Sequence, residues 1–118
     1  MIFENQIIPR EIHEFVIEGP CDIQEVIRII ETRYPAISKG ILWNVTAGSL
    51  AHLGPADMRL IANTAKMHAV HKKTAYVGME AGDFGKFRQY ETHAELSEVP
   101  TVMKVFHDAD EALEWLKQ

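Results

Sequence analysis

The sequence predicts an α/β fold: a mixed sheet of four to five strands, with an N-terminal antiparallel pair and parallel strands after it, and helices packed on the sheet. Strand-like segments alternate with amphipathic helical segments, which is typical of this class. The run GILWNVTA, residues 40–47, is apolar almost throughout, as in strands that are buried on both faces. A chain of 118 residues is expected to form a single domain over residues 1–118.

The N-terminal third predicts a hairpin and a helix. Two runs rich in β-branched residues, 2–8 and 11–17, are expected to pair as antiparallel strands. Asp22, with Glu25 three residues later, forms the capping-box pattern that begins a helix. The helix is expected to end near Tyr34, because the proline that follows disfavours the α conformation at this residue.

The rest of the chain alternates strands and helices. Each connecting helix is long enough to cross the sheet, so the strands it joins are expected to be parallel, with right-handed crossovers. In chain order the predicted elements are a strand over 40–47, a helix over 55–71, a strand over 74–79, a short helix over 83–91, a strand over 101–106 and a helix over 108–117.

Composition and charge exclude several classes of function. The net charge of -5 argues against a general nucleic-acid binder, since neutralising phosphates supplies most non-specific affinity. The apolar runs are far shorter than the roughly 20 residues of a transmembrane helix, and the N-terminus lacks a secretory signal pattern. No transmembrane segment is therefore predicted, and a cytoplasmic location is expected.

The sequence predicts neither a cofactor nor a metal. Cys21 is the only cysteine, which excludes an internal disulfide and a thiolate cluster. His68 and His71 have a spacing that can chelate a metal on a helix, but no third ligand lies nearby in sequence, and surface histidines are the more common case. The glycine and serine patterns of phosphate-binding loops and nucleophile elbows are absent. We therefore expect a protein that is not an enzyme.

Three segments resemble a known family. KGILWNVTAGSL, TAYVGMEAGDFGKFRQYE and VFHDADEALEWL together resemble the SpoIIAA-like family of STAS-type domains, over nearly the whole chain. The resemblance implies a STAS-like sheet with surrounding helices, distantly related in shape to the CRAL-TRIO lipid-binding fold. The better-understood relatives are bacterial anti-sigma-factor antagonists, switched by phosphorylation of a serine after the central strand. Ser49 is the nearest equivalent by position, although the Asp-Ser-Ser-Gly pattern of those antagonists is absent here.

One candidate site is the rim where parallel strands end. Ligands of open α/β sheets bind beyond the carboxyl ends of the strands, where the loops gather. The loops predicted to meet there supply a candidate rim or switch, with turn formation as the alternative role: Ser49, His52, Asp83 and His107.

A second candidate is the outer face of the predicted 55–71 helix. Four residues follow the spacing i, i+4, i+7 and i+11, opposite the stripe that is expected to pack on the sheet. Two partly apolar faces on one helix suggest that the outer one meets a partner. This candidate interaction face consists of Leu60, Thr64, Met67 and His71.

A third candidate is an apolar pocket under the C-terminal helices, 83–91 and 108–117. Aromatic residues on these helices either fill the core or line a pocket that opens when the helices move. The candidate pocket residues are Phe84, Phe87, Tyr90 and Trp115.

Taken together, these features predict a non-catalytic STAS-like module that acts by binding a protein partner or by self-association, for example as a homodimer. The alternative is a protein that binds a small molecule or a lipid in the apolar pocket. Fold alone does not choose between these two functions.

Overall fold

The computed structural model describes residues 1–118 and confirms the predicted α/β class. It contains one mixed sheet of five strands, four α-helices and a 3-10 turn at Tyr34–Ala36. The elements are β1 (Ile2–Ile8), β2 (Ile12–Ile17), α1 (Ile23–Thr32), β3 (Gly40–Val45), α2 (Pro55–His68), β4 (Lys73–Val77), α3 (Ala81–Leu96), β5 (Val102–Phe106) and α4 (Ala109–Lys117).

The strands lie in the sheet in their chain order, β1-β2-β3-β4-β5. β1 and β2 are antiparallel, and every later neighbour is parallel, as predicted. Trp43 pairs with Tyr76, and Tyr76 pairs with Val105, so the three central strands run side by side in one direction. The carboxyl ends of β2 to β5 therefore lie along one edge of the sheet.

The strand order decides which face the helices cover. Because β2 to β5 follow one another in one direction and right-handed crossovers are the strong rule, α1, α2 and α3 belong on the same face. They share a core of 20 buried residues with that face of the sheet. α4 follows the last strand and packs on the opposite face, in a second core of seven buried residues.

The helices begin at the predicted signals but differ in detail. The Asp22 carboxylate accepts a hydrogen bond from Gln24 N at 2.9 Å and caps α1. Glu25 does not complete a capping box, since its carboxylate accepts a hydrogen bond from Ile2 N at 3.3 Å and joins α1 to β1. At α2 one half of such a box forms: the Asp57 carboxylate accepts a hydrogen bond from Gly54 N at 3.0 Å, and the glycine has no side chain to accept one in return.

Two helix boundaries differ from the predicted ones. α2 ends at His68, three residues earlier than predicted, and α3 is a 16-residue helix that continues to Leu96. The start of α3 packs closely on the end of β4: a Cβ at Gly78 would lie 2.6 Å from the backbone nitrogen of Phe84. No helix has both the length and the apolar character needed to cross a lipid bilayer.

Candidate ligand-binding cavity

A cavity of about 50 Å³ lies between the sheet and the three helices of its larger core. The sheet contributes Ile17, Trp43 and Tyr76, which come from adjacent strands and point to the same face. The space exceeds what one water molecule occupies, whereas protein interiors leave few such voids. Apolar residues of the three helices close the cavity: Val26, Ile30, Met58, Ile61, Phe87 and Tyr90.

Aromatic polar groups lie within this apolar lining. The indole N–H of Trp43 donates a hydrogen bond to the Tyr34 hydroxyl at 2.7 Å. Tyr76 packs against Tyr90 with ring centroids 5.5 Å apart. Burial raises the pKa of all three tyrosine hydroxyls well above the ordinary value, so they are neutral donors at physiological pH.

Lys86 is the one charged residue of the lining. Its ammonium donates a hydrogen bond to the backbone carbonyl of Leu53 at 2.6 Å, and it forms no salt bridge. Lys86 and Ile61 are the half-exposed members of the lining, and the others are buried. The mouth of the cavity therefore lies between α2 and α3.

Cys21 also lines the cavity, behind the start of α1. Burial is the largest of the effects that raise the pKa of its thiol to about 11, and nearby carboxylates add to it. A thiol with this pKa is protonated at neutral pH and is a poor nucleophile. Cys21 therefore contributes apolar surface to the lining.

The segment 46–54 covers one side of the cavity with Leu50 and Leu53. It is tied to α3 by Asp83, whose buried carboxylate accepts hydrogen bonds from Gly48 N at 2.9 Å and Leu50 N at 3.4 Å. Lys86 forms the second tie through the Leu53 carbonyl. Two residues one turn apart on α3 thus hold this covering segment in place.

The predicted rim residues gather at this edge, but not as a shared polar site. Ser49 is buried, and its hydroxyl is hydrogen-bonded to that of Thr46 at 2.9 Å. His52 is exposed and interacts through Nε2 with the Cys21 carbonyl at 2.8 Å. The ring of His107 stacks on Phe84 at 3.8 Å between centroids. The polar groups of Ser49, His52 and Asp83 therefore hold the loops together.

Two of the four residues predicted to line a pocket do line the cavity. Phe87 and Tyr90 line the cavity, but Phe84 and Trp115 do not. Trp115 lies on α4, which packs on the other face of the sheet, where its ring contacts Phe106. Phe84 packs on the exposed ring of His107 instead of pointing inward. The cavity lies under α1, α2 and α3, so the predicted position under the two C-terminal helices needs correction.

Three of the four residues predicted for the interaction face lie on α2, and the fourth does not. Leu60 and Met67 are 46% and 79% exposed, and half-buried Thr64 donates its hydroxyl to the Leu60 carbonyl at 2.8 Å. Placing His71 on this face is wrong, because α2 ends before it and the chain turns inward to β4.

His71 is instead a core residue, 1% exposed. Its Nε2 lies 2.5 Å from the Thr74 hydroxyl, and its ring packs edge-on against Tyr34. Nδ1 has no hydrogen-bond partner. Burial lowers the pKa of His71 to about 4, so the ring is neutral at physiological pH.

The sequence does not assign Tyr34, Trp43 and Tyr76 to a site. Trp43 and Tyr76 each stand in a buried strand, and such residues bring a polar group into a core. That signal marks polar positions inside the protein, but it does not show that a void adjoins them. No group of three or more His, Cys, Asp or Glu side chains is placed to hold a metal ion.

The fold and the cavity define an α/β protein with a five-stranded mixed sheet and an internal apolar site. No family model matches the chain, and neither a curated protein nor a solved structure matches it. The resemblance to the SpoIIAA-like family stays a prediction.

Proposed function

We propose that this chain is a STAS-like module without catalytic activity, which binds a small, mainly apolar molecule between the sheet and the helices α1, α2 and α3. The observation that carries the proposal is the cavity, whose lining is apolar except for Lys86. An apolar lining with a few convergent polar groups is typical of small-molecule sites, and the small volume restricts the ligand to a few carbon atoms unless the lining moves.

The energetics of the void support this function. At about 24 cal/mol per Å³, an empty space of about 50 Å³ reduces stability by about 1 kcal/mol. A ligand that fills the space recovers lost dispersion contacts and removes its own apolar surface from water. Met58, a flexible side chain in the lining, can change rotamer and enlarge the space.

Trp43 provides the test, because it lines the cavity and the only other tryptophan, Trp115, lies on the opposite face. In a Trp115→Phe background, titration with hexanol is expected to change the Trp43 fluorescence and to raise the melting temperature. Native mass spectrometry of the purified protein tests for a co-purified apolar ligand.

A matched pair of variants locates the binding. Ile61→Phe replaces an aliphatic side chain at the half-exposed mouth with a larger aromatic one and is expected to abolish the response to hexanol. Leu113→Phe makes the same kind of change on α4 and is expected to leave the response intact. An unchanged Trp43 signal together with an unchanged melting temperature would refute the proposed function.

A second function, self-association or protein binding through α2, is favoured by the exposure of Leu60 and Met67. Exposed apolar residues that line one helix face are typical of contact surfaces. Leu60→Glu combined with Met67→Glu is expected to keep the fold and to abolish the complex. Light scattering that gives one monomeric mass for both wild type and variant would remove self-association.

A further inference from the structure

The charge at the mouth of the cavity specifies the chemistry of the ligand. Lys86 is the one ionic side chain among the lining residues, and no carboxylate pairs with it. Building on the proposed function, we infer that the ligand is a short monocarboxylic acid, with its apolar chain in the cavity and its carboxylate on the Lys86 ammonium.

The Lys86 ammonium has N–H donors available for such a head group. A lysine ammonium carries three N–H donors, and the carbonyl of Leu53 accepts one of them. A carboxylate at the mouth can therefore bind Lys86 without breaking the tie between α3 and the covering segment 46–54. Partial burial of Lys86 makes the attraction stronger there than in water.

The acidic residue one turn away on the same helix does not pair with Lys86. Asp83 lies one turn before Lys86, but its carboxylate accepts from Gly48 N and Leu50 N and forms no salt bridge with Lys86. The Asp83 oxygens are thus bound to the backbone of the covering segment, and they do not occupy the N–H donors of Lys86.

The size of the site and its single charge limit the class of acid. A cavity of about 50 Å³ accepts a short chain and excludes a long acyl chain or a ring system, unless the helices separate. A lone ammonium matches a monoanion, whereas phosphate groups are commonly bound by arginine forks or by several backbone N–H groups. Hexanoate is a suitable probe, because its chain is short enough to fit once Met58 changes rotamer and enlarges the space.

The experiment compares three probes with the same chain: hexanoate, hexanol and hexylamine. Affinities come from Trp43 fluorescence in the Trp115→Phe protein at neutral pH. Hexanoate is expected to bind about ten-fold more tightly than hexanol, as for a hydrogen bond to a charged group. Hexylamine is expected to bind more weakly than hexanol, because its charge repels that of Lys86.

Variants assign the preference to Lys86. Lys86→Met is expected to remove the preference for hexanoate over hexanol, and Lys86→Arg, which keeps the charge, is expected to retain it. Lys66→Met removes a lysine that lies on α2 outside the cavity lining and is expected to change nothing. Hexanol binding to Lys86→Met shows that the variant is folded and that its cavity is intact.

The remaining outcomes distinguish a failure of the carboxylate inference from a failure of the proposed function. Equal affinities for hexanoate and hexanol in the wild-type protein would overturn the carboxylate inference and leave the apolar site standing. A preference that persists in Lys86→Met would overturn it as well. Binding of none of the three probes would overturn both the inference and the proposed function.

Discussion

The two faces of the sheet are packed in different ways. On the face covered by α1, α2 and α3, large rings such as Trp43, Tyr76 and Phe87 surround a cavity. On the face covered by α4, small residues such as Ala75 and Ala112 let the helix lie close to the sheet. The rigid rings leave an apolar space that they cannot fill, whereas the small residues let α4 approach the sheet closely, so the apolar cavity lies under α1, α2 and α3.

Gly40 shows how tight the α4 face is. A Cβ at this position would lie 2.8 Å from Cδ2 of Leu116, so the leucine occupies the space beside the strand. On the other face, beyond the carboxyl end of β3, Leu50 and Leu53 of the covering segment enclose the cavity, and this segment depends on hydrogen bonds to α3 for its position. One face is therefore closed by packing and the other by a tethered segment.

The largest expected effect compares truncations on the two faces. Leu116→Ala removes a fully buried side chain with tight contacts, so we expect a loss of about 3 to 4 kcal/mol in the free energy of unfolding. Met58→Ala removes a side chain that is also buried but borders the cavity, where a void supplies no contact atoms on one side. Its loss is expected to be smaller, as measured by urea denaturation. Equal losses would contradict the difference in packing.

The next effect concerns Ser49. It is 2% exposed and lies within the covering segment, between the two residues whose backbone N–H groups the Asp83 carboxylate binds. Ser49→Asp buries a second negative charge there, so we expect a loss of about 2 to 3 kcal/mol and a lower melting temperature. Ser49→Ala, the uncharged control, is expected to lose about 1 kcal/mol. An unchanged melting temperature for Ser49→Asp would instead agree with a phosphoswitch.

A pH-dependent effect follows from His71, which packs on the cavity residue Tyr34. Burial lowers its pKa from 6.5 to about 4, so the native state favours the neutral ring. The stabilisation is complete above pH 6.5 and is lost as the pH falls towards 4, because the unfolded chain takes up the proton first. Between neutral pH and about pH 4.5, we expect the free energy of unfolding to fall by about 2 kcal/mol through this residue.

Urea denaturation of wild type and His71→Leu at both pH values isolates this contribution. The wild-type free energy of unfolding is expected to fall more steeply with acid than that of the variant. Parallel pH profiles of the two proteins would show that His71 titrates normally and is accessible to water.

The smallest expected effect loosens the covering segment. Asp83→Asn keeps one acceptor oxygen and removes the charge, so we expect a loss of about 1 kcal/mol. Hydrogen exchange at the amides of Gly48 and Leu50 is expected to accelerate, whereas exchange in α4 is expected to stay unchanged. Unaltered exchange at these two amides would show that Asp83 does not hold the segment.

Much of the fold could be predicted from the sequence because its signals are local. Buried strands are marked by near-continuous apolar runs, and the helices between them require parallel pairing, which together gave the neighbours Trp43, Tyr76 and Val105. The same crossover rule explains the common face of α1, α2 and α3. The crossover rule does not place α4, because no strand follows that helix. The position of α4 follows instead from the apolar residues on the other face of the sheet, which it buries.

The site was less predictable, for two physical reasons. The spacing of Leu60, Thr64 and Met67 extends to His71, but α2 ends at His68 without a glycine or proline that marks the stop. Periodicity places the aromatic residues Phe84 and Trp115 on helices, but it does not show which neighbours their rings contact. A void depends on how well side chains from distant elements fit together, and no local pattern encodes that fit.

Cys21 gives the molecule a natural chemical reporter. Its thiol lies against the cavity, and its backbone N–H donates to the Ser49 carbonyl at 2.9 Å, so it is shielded by the same loop that covers the ligand site. An alkylating reagent can reach the sulfur atom only when that loop lifts or the chain unfolds. The labelling rate of this one residue therefore measures how often the protein opens.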